Sequence, residues 1–209
     1  MPRAQTEQRL RTKAVYRRYE ALLKENGLHL ENILNGNIYC QDITMQDEYE
    51  QQWIRWTYPG HKPAGTMVEG RPADRRDLLA LGLTFADSPE IADVKRVKPA
   101  ENCCRYVEYR KTAYFTGHVC LDADAKDLYD HTKGVLRRFC KVFKEEYGLR
   151  MDRIISASAY ISDIRQAPLF HKAWDEWFTP GTEPACSVIA TRLLGDEFQL
   201  ELALIVADE

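Results

Sequence analysis

Apolar residues recur at helical spacing through Val15, Tyr19, Leu22 and Leu23, and again through Val135, Leu136, Phe139, Val142 and Phe143. Each run stops at a glycine, Gly27 or Gly148, the residue that closes a helix by taking the left-handed conformation without strain. The pattern predicts two helices, one opening at a Thr6 cap and the other near Asp130. After each helix the period shortens to two, so residues 32–42 and 153–163 read as strands. A short helix follows in each place, carrying Trp53 and Trp56 or Trp174 and Trp177, and Pro59-Gly60 or Pro180-Gly181 ends it. Strands over 66–71 and 78–86 complete the first series, and strands over 186–191 and 198–207 the second.

The two series are one pattern written twice. Residues 27–86 lie on residues 148–207 without a gap, so that Ile33 meets Ile154, Tyr39 meets Tyr160, Asp42-Ile43 meets Asp163-Ile164, and Pro63-Ala64 meets Pro184-Ala185. Two tryptophans that keep both spacing and surroundings are hard to obtain by chance. The period is far too long for a solenoid and implies two copies of a small domain, with expected limits of 1–90 and 91–209. Only the second copy has a preceding hairpin, residues 104–110 and 112–120 pairing around Lys111. Its order is then β-β-α-β-α-β-β, which suggests an α+β domain with one mixed sheet and both helices on a single face.

Composition narrows the function classes. A formal net charge of -3 gives no general attraction to nucleic acid or to an anionic membrane, and the basic runs at 9–18 and 71–76 read as solvated surface. No apolar segment approaches the roughly 20 residues of a membrane span, and the first residues open no signal peptide, so a cytoplasmic protein is expected. Six cysteines, Cys103 and Cys104 adjacent and the other four scattered, lack the paired spacing of a zinc site and read as reduced thiols. Neither metal nor cofactor is expected.

The second copy resembles the RidA/YjgF family of small enamine and imine deaminases over residues 92–209. The resemblance rests on Tyr114-Phe115-Thr116-Gly117-His118, on Gly148-Leu149 followed by Ile154-Ile155, and on Tyr160-Ile161-Ser162-Asp163-Ile164. It continues through Phe170-His171-Lys172-Ala173-Trp174-Asp175-Glu176-Trp177-Phe178 and Pro184-Ala185, in order and with loop lengths preserved. It implies a chorismate-mutase-like fold, trimeric assembly around a central barrel, and clefts between neighbouring subunits that take small molecules.

Two departures from the family pattern bear on chemistry. The family's arginine, whose guanidinium forks onto a substrate carboxylate, is replaced by Cys186 in the second copy and by Gly65 in the first. The family's two strand glutamates become Glu201 and Ala203 in the second copy, and Ala80 and Gly82 in the first. The resemblance thus leaves Tyr114, Thr116 and Gly117 as substrate-binding candidates and Cys186, His118 and Glu201 as catalytic ones. Cys186 reads either as a packed thiol or as a nucleophile activated by His118. His118 reads as a hydrogen-bonding group or as an acid/base, and Glu201 as a structural ion-pair partner or a catalytic acid. His131 reads as a capping or surface residue, and the tryptophans as core or interface. Two functions remain: a diverged hydrolase or deaminase of an imine, enamine or related cyclic compound, and a non-catalytic ligand-binding or assembly protein on the same fold. In either case the partners expected are a small molecule and further copies of the chain.

Overall fold

The computed structural model describes residues 3–57, 59–88, 90–148 and 150–207, and the chain divides into two compact units, Met1–Arg110 and Lys111–Glu209. In the first unit α1 (Arg3–Glu25) leads into β1 (Ile33–Cys40), then α2 (Gln46–Trp56), β2 (Ala64–Glu69) and β3 (Leu79–Phe85). A short antiparallel pair, β4 (Lys95–Val97) and β5 (Tyr106–Tyr109), completes it. The second unit runs β6 (Thr112–Phe115), β7 (His118–Val119), α3 (Leu128–Val142), β8 (Ile154–Ile161), α4 (Ala167–Trp177), β9 (Ala185–Ala190) and β10 (Leu200–Ala207).

Both sheets are built on one plan. In the first unit β1 lies between β2, which it pairs parallel, and β3, which it pairs antiparallel. In the second, β8 lies between β9 and β10 with the same two senses. The registers match residue for residue: Asn35 faces Ala64 as Ser156 faces Ala185, and Cys40 faces Leu79 as Ile161 faces Leu200. Each central antiparallel pair carries one irregularity, and it falls at the same place, beside Ile33 and beside Ile154. The α+β class and the element order expected from the sequence are those observed.

Local chemistry explains the element ends. Asp127 caps α3 by accepting the Asp130 amide hydrogen at 3.0 Å, three residues before the expected start. The helix then runs into a π-turn, Phe143–Tyr147, which Gly148 closes at φ 73. The first helix begins at Arg3, so Thr6 falls inside it rather than at a cap. After β5, Arg110 and Lys111 both have positive φ, 46 and 61, a conformation uncommon for residues other than glycine.

The two compact units part after Arg110, whereas the sequence places the limit between the copies at 90/91. Residues 91–110, assigned to the second copy on sequence grounds, lie with the first unit, because β4 and the segment before β5 are fastened there. The Arg96 guanidinium donates to the carbonyls of Glu31, Ile33 and Lys62 at 2.7, 3.0 and 3.2 Å. Cys104 donates its amide hydrogen to Pro63 at 3.0 Å, and the Trp53 indole donates to Asn102 at 3.0 Å. Nothing in the spacing of residues 92–105 announces these contacts.

The core of the first unit gathers Val15, Tyr16, Ile38, Tyr49, Trp53 and Trp56 around the helix-facing side of its sheet, with Tyr16 stacked on Trp56 at 4.6 Å. The pairing of β1 with β2 leaves no room at Gly65. A Cβ there would stand 2.2 Å from the Gly36 carbonyl oxygen, a backbone atom that cannot swing away. Gly65→Ala is expected to destabilise the first unit by about 3 kcal/mol. Gly82→Ala, whose Cβ would meet neighbours only at 3.8 and 3.9 Å, should change little. Urea unfolding of the two variants beside the parent checks both.

Candidate functional site

The site candidates lie on and beside β10. Its residues alternate, and the faces are chemically distinct: Leu200, Leu202, Leu204 and Val206 are buried on the side that packs against the helices. Glu201, Ala203 and Ile205 point to the other side. Registers carry this division across the sheet. Glu201 stands between Val119 and Tyr160, Ile205 between Tyr114 and Ser156, and Ala203 beside Ser158, which in turn faces Ser187 on β9. The helix-free face thus presents Tyr114, Glu201 and three serine hydroxyls around Ala203.

A bulge shapes one edge of this surface. Tyr114 pairs with Ile205, yet His118 pairs with Leu202, so β6 and β7 contain one residue more than β10 between those pairs. The extra residue lies at Thr116-Gly117, opposite Ala203, where bulges commonly re-aim side chains near sites. Two of the three substrate-binding candidates therefore form one local feature, and Tyr114 stands on the exposed face beside it. Burial raises the Tyr114 phenol above its ordinary range, so it acts as a hydrogen-bonding hydroxyl rather than as a phenolate.

His118 and Cys186 lie on the opposite face. The His118 ring lies 4.5 Å from Phe139 of α3, and its Nδ1 is 2.7 Å from the Thr116 carbonyl oxygen. Cys186 shares the face of Ala157 and Leu204. Strands β10 and β8 intervene between β7 and β9, which at the usual strand spacing puts His118 and Cys186 roughly 14 Å apart. The thiol-imidazole couple anticipated from the sequence is not assembled within one chain, because residue order along the chain does not disclose strand order across the sheet. Burial also pushes the Cys186 thiol up to about 11, which keeps it protonated and weakly nucleophilic at neutral pH.

Glu201 is buried as well. It is 9% exposed, and removal from water pushes its carboxyl up to about 7. His131, read as a capping or surface residue, is in fact buried, and its Nδ1 has no partner; burial lowers its pKa. His171 is exposed. The serines at 156, 158 and 187 were not among the sequence candidates. Their alternation with Ala157, Ala159 and Val188 carried the signal, since period two places all three on one face. Among the described residues no cluster of side chains fits a metal ion, and no helix is long and apolar enough to cross a membrane.

The raised carboxyl has a measurable consequence. Folding favours protonated Glu201, so its contribution to stability is whole below the unfolded value of 4.5 and is lost as pH rises through about 7. The loss should be on the order of 3 kcal/mol. Glu201→Gln is neutral throughout, so urea unfolding should show a flatter profile over that range for the variant. Parallel profiles for parent and variant would contradict the assignment.

Comparison with known proteins supplies the family. The model described as endoribonuclease L-PSP matches residues 94–208. A RutC family protein of Haemophilus ducreyi is 30% identical over 99 residues, covering 47% of this chain and 83% of that protein. The RutC family protein YoaB of Escherichia coli is 28% identical over 102 residues, 48% of this chain and 86% of its own length. Among solved structures, a YjgF-family protein of Neisseria meningitidis superposes with a TM-score of 0.53 at 18% identity, over 57% of this chain and 98% of that one. An uncharacterized protein of Pseudomonas aeruginosa gives 0.52 at 19%, over 56% and 99%. These structures share the fold of the matched region, and with the sequence matches they show that the chain belongs to the RidA/YjgF family.

Proposed function

We infer that the second unit hydrolyses a C–N bond in a small imine, enamine or related cyclic compound, in a cleft completed by neighbouring copies of the chain in the cytosol. The observation that carries this reading is the Glu201 carboxyl: buried, two residues from the position facing the Thr116-Gly117 bulge, and present in both protonation states near neutral pH. As the acid it protonates the imine nitrogen. Water then adds to the electrophilic carbon as the carboxylate accepts the proton this water loses, and the acid passes that proton to the amine nitrogen. The C–N bond breaks as the hydroxyl becomes a carbonyl, and the carboxylate takes the hydroxyl proton, which restores the acid. The products are a carbonyl compound and ammonia or an amine. Tyr114 and the serine hydroxyls supply neutral hydrogen bonds to the substrate.

Substrate charge is argued from what the site lacks. The guanidinium that in the family resemblance grips a carboxylate is missing, and the thiol in its place lies on the face opposite Glu201, so an uncharged substrate suits the site better than 2-aminoacrylate. Loss of one such charged contact costs on the order of 2–5 kcal/mol. The cleft requires partner copies, and the resemblance favours assembly on threes. The two sheets share topology and register, which supports duplication of one ancestral domain, with the first copy retained for assembly.

A second reading, binding without turnover, is favoured by one observation: Ala203 stands opposite the bulge where the resemblance places the second acid. Steady-state assays with neutral and carboxylate-bearing imines separate the readings. Hydrolysis of neutral imines is expected, with Glu201→Gln lowering kcat at least a hundredfold, on the order of what positioned acid–base groups contribute, while Cys186→Ser and His118→Gln retain most of the rate. Saturable binding with no turnover of any imine would establish the second reading instead.

A further inference from the structure

The outer edge of β3 is a sheet edge that no described strand covers. Gln41 donates its amide hydrogen to the Leu78 carbonyl at 2.9 Å, which fixes the alternation along this strand. Ala80, Gly82 and Thr84 direct their backbone groups to β1, and Leu79, Leu81 and Leu83 direct theirs away from it. In the second unit Ser162 donates to Gln199 in the same way, and the outward groups of β10 meet β6 and β7. Among the described residues no strand pairs with the outer edge of β3. One of its acceptors is taken, the Leu81 carbonyl, to which the Tyr19 hydroxyl of α1 donates.

We propose that this edge pairs antiparallel with the same edge of a second copy of the chain. The strand reads Leu79-Ala80-Leu81-Gly82-Leu83-Thr84-Phe85. It carries no charge, no proline and no lysine, the features by which proteins ordinarily protect an edge from another strand. An uncharged strand opposite itself meets no like-charge repulsion, and antiparallel pairing about a two-fold axis satisfies both copies equally. Gly82 at its centre is exposed and has space for a side chain, so its own unit sets no steric demand for glycine there. Close approach of another backbone is a common reason for glycine within a strand.

Hydrogen exchange of the full chain tests this pairing. The Leu81 and Leu83 amides should exchange slowly at high protein concentration and faster on dilution, in step with a halving of particle mass by light scattering. Gly82→Lys should halve the mass at every concentration and remove that protection, with the melting curve of the first unit unchanged. Fast exchange of both amides at all concentrations would overturn the proposal. So would protection that survives both dilution and Gly82→Lys, which would mean that something other than a second copy covers the edge. A monomer whose amides become protected only on adding a synthetic peptide of residues 112–120 would assign the edge to a foreign strand, and would equally overturn it.

Discussion

The antiparallel register between β8 and β10 is the constraint on which the rest of the site depends. It sets Glu201 beside Tyr160 and Ala203 beside Ser158, and it sends Leu200, Leu202 and Leu204 into the core. Side chains alternate with period two, so a slip of one residue would bury Glu201 under the helices and expose the leucines. The apolar set therefore holds the acid in place. Burial of Leu200, Leu202, Leu204 and Val206 on one face fixes where a single carboxyl points on the other, and the bulge at Thr116-Gly117 then aims the neighbouring strand at the same patch.

The acid in turn depends on incomplete solvation. A carboxyl on an open sheet face would titrate near its ordinary value and would be ionised at neutral pH. Val119 and Tyr160 flank Glu201 from both sides, and desolvation is the cause of its raised value. The same desolvation acts on Cys186 in the opposite functional sense, since a thiol held protonated loses nucleophilicity whereas a carboxyl held protonated becomes a proton donor. Two groups shifted in the same direction by burial thus acquire different chemical competence.

Much of this architecture was legible in the chain. Glycines at 27 and 148 marked helix ends, the tryptophan spacing marked the short helices, and period two marked β1 and β8 within two residues. The candidate site was legible only in part. Tyr114, Thr116, Gly117 and Glu201 fall around one patch, but His118 and Cys186 do not join it, because facing direction depends on strand order and on a one-residue bulge. The position of residues 91–110 was hidden for a different reason. Arg96 acts through carbonyl oxygens of Glu31, Ile33 and Lys62, and backbone acceptors carry no signature in a sequence.

The difference between the units follows from one close approach. In the first, Trp53 presses on Gly36 so that a Cβ there would fall 2.5 Å from its ring, and Gly65 lies against the Gly36 carbonyl. Any side chain at 65 is excluded by backbone, so the position aligned with the family arginine cannot hold an arginine, a cysteine or even an alanine without parting the strands. In the second unit Ala157 and Cys186 occupy the same paired positions, and the strands accommodate both. With Ala80 and Gly82 at the places of the family's two glutamates, this strand of the first unit carries no acid, and packing of backbone against backbone accounts for the glycine at 65.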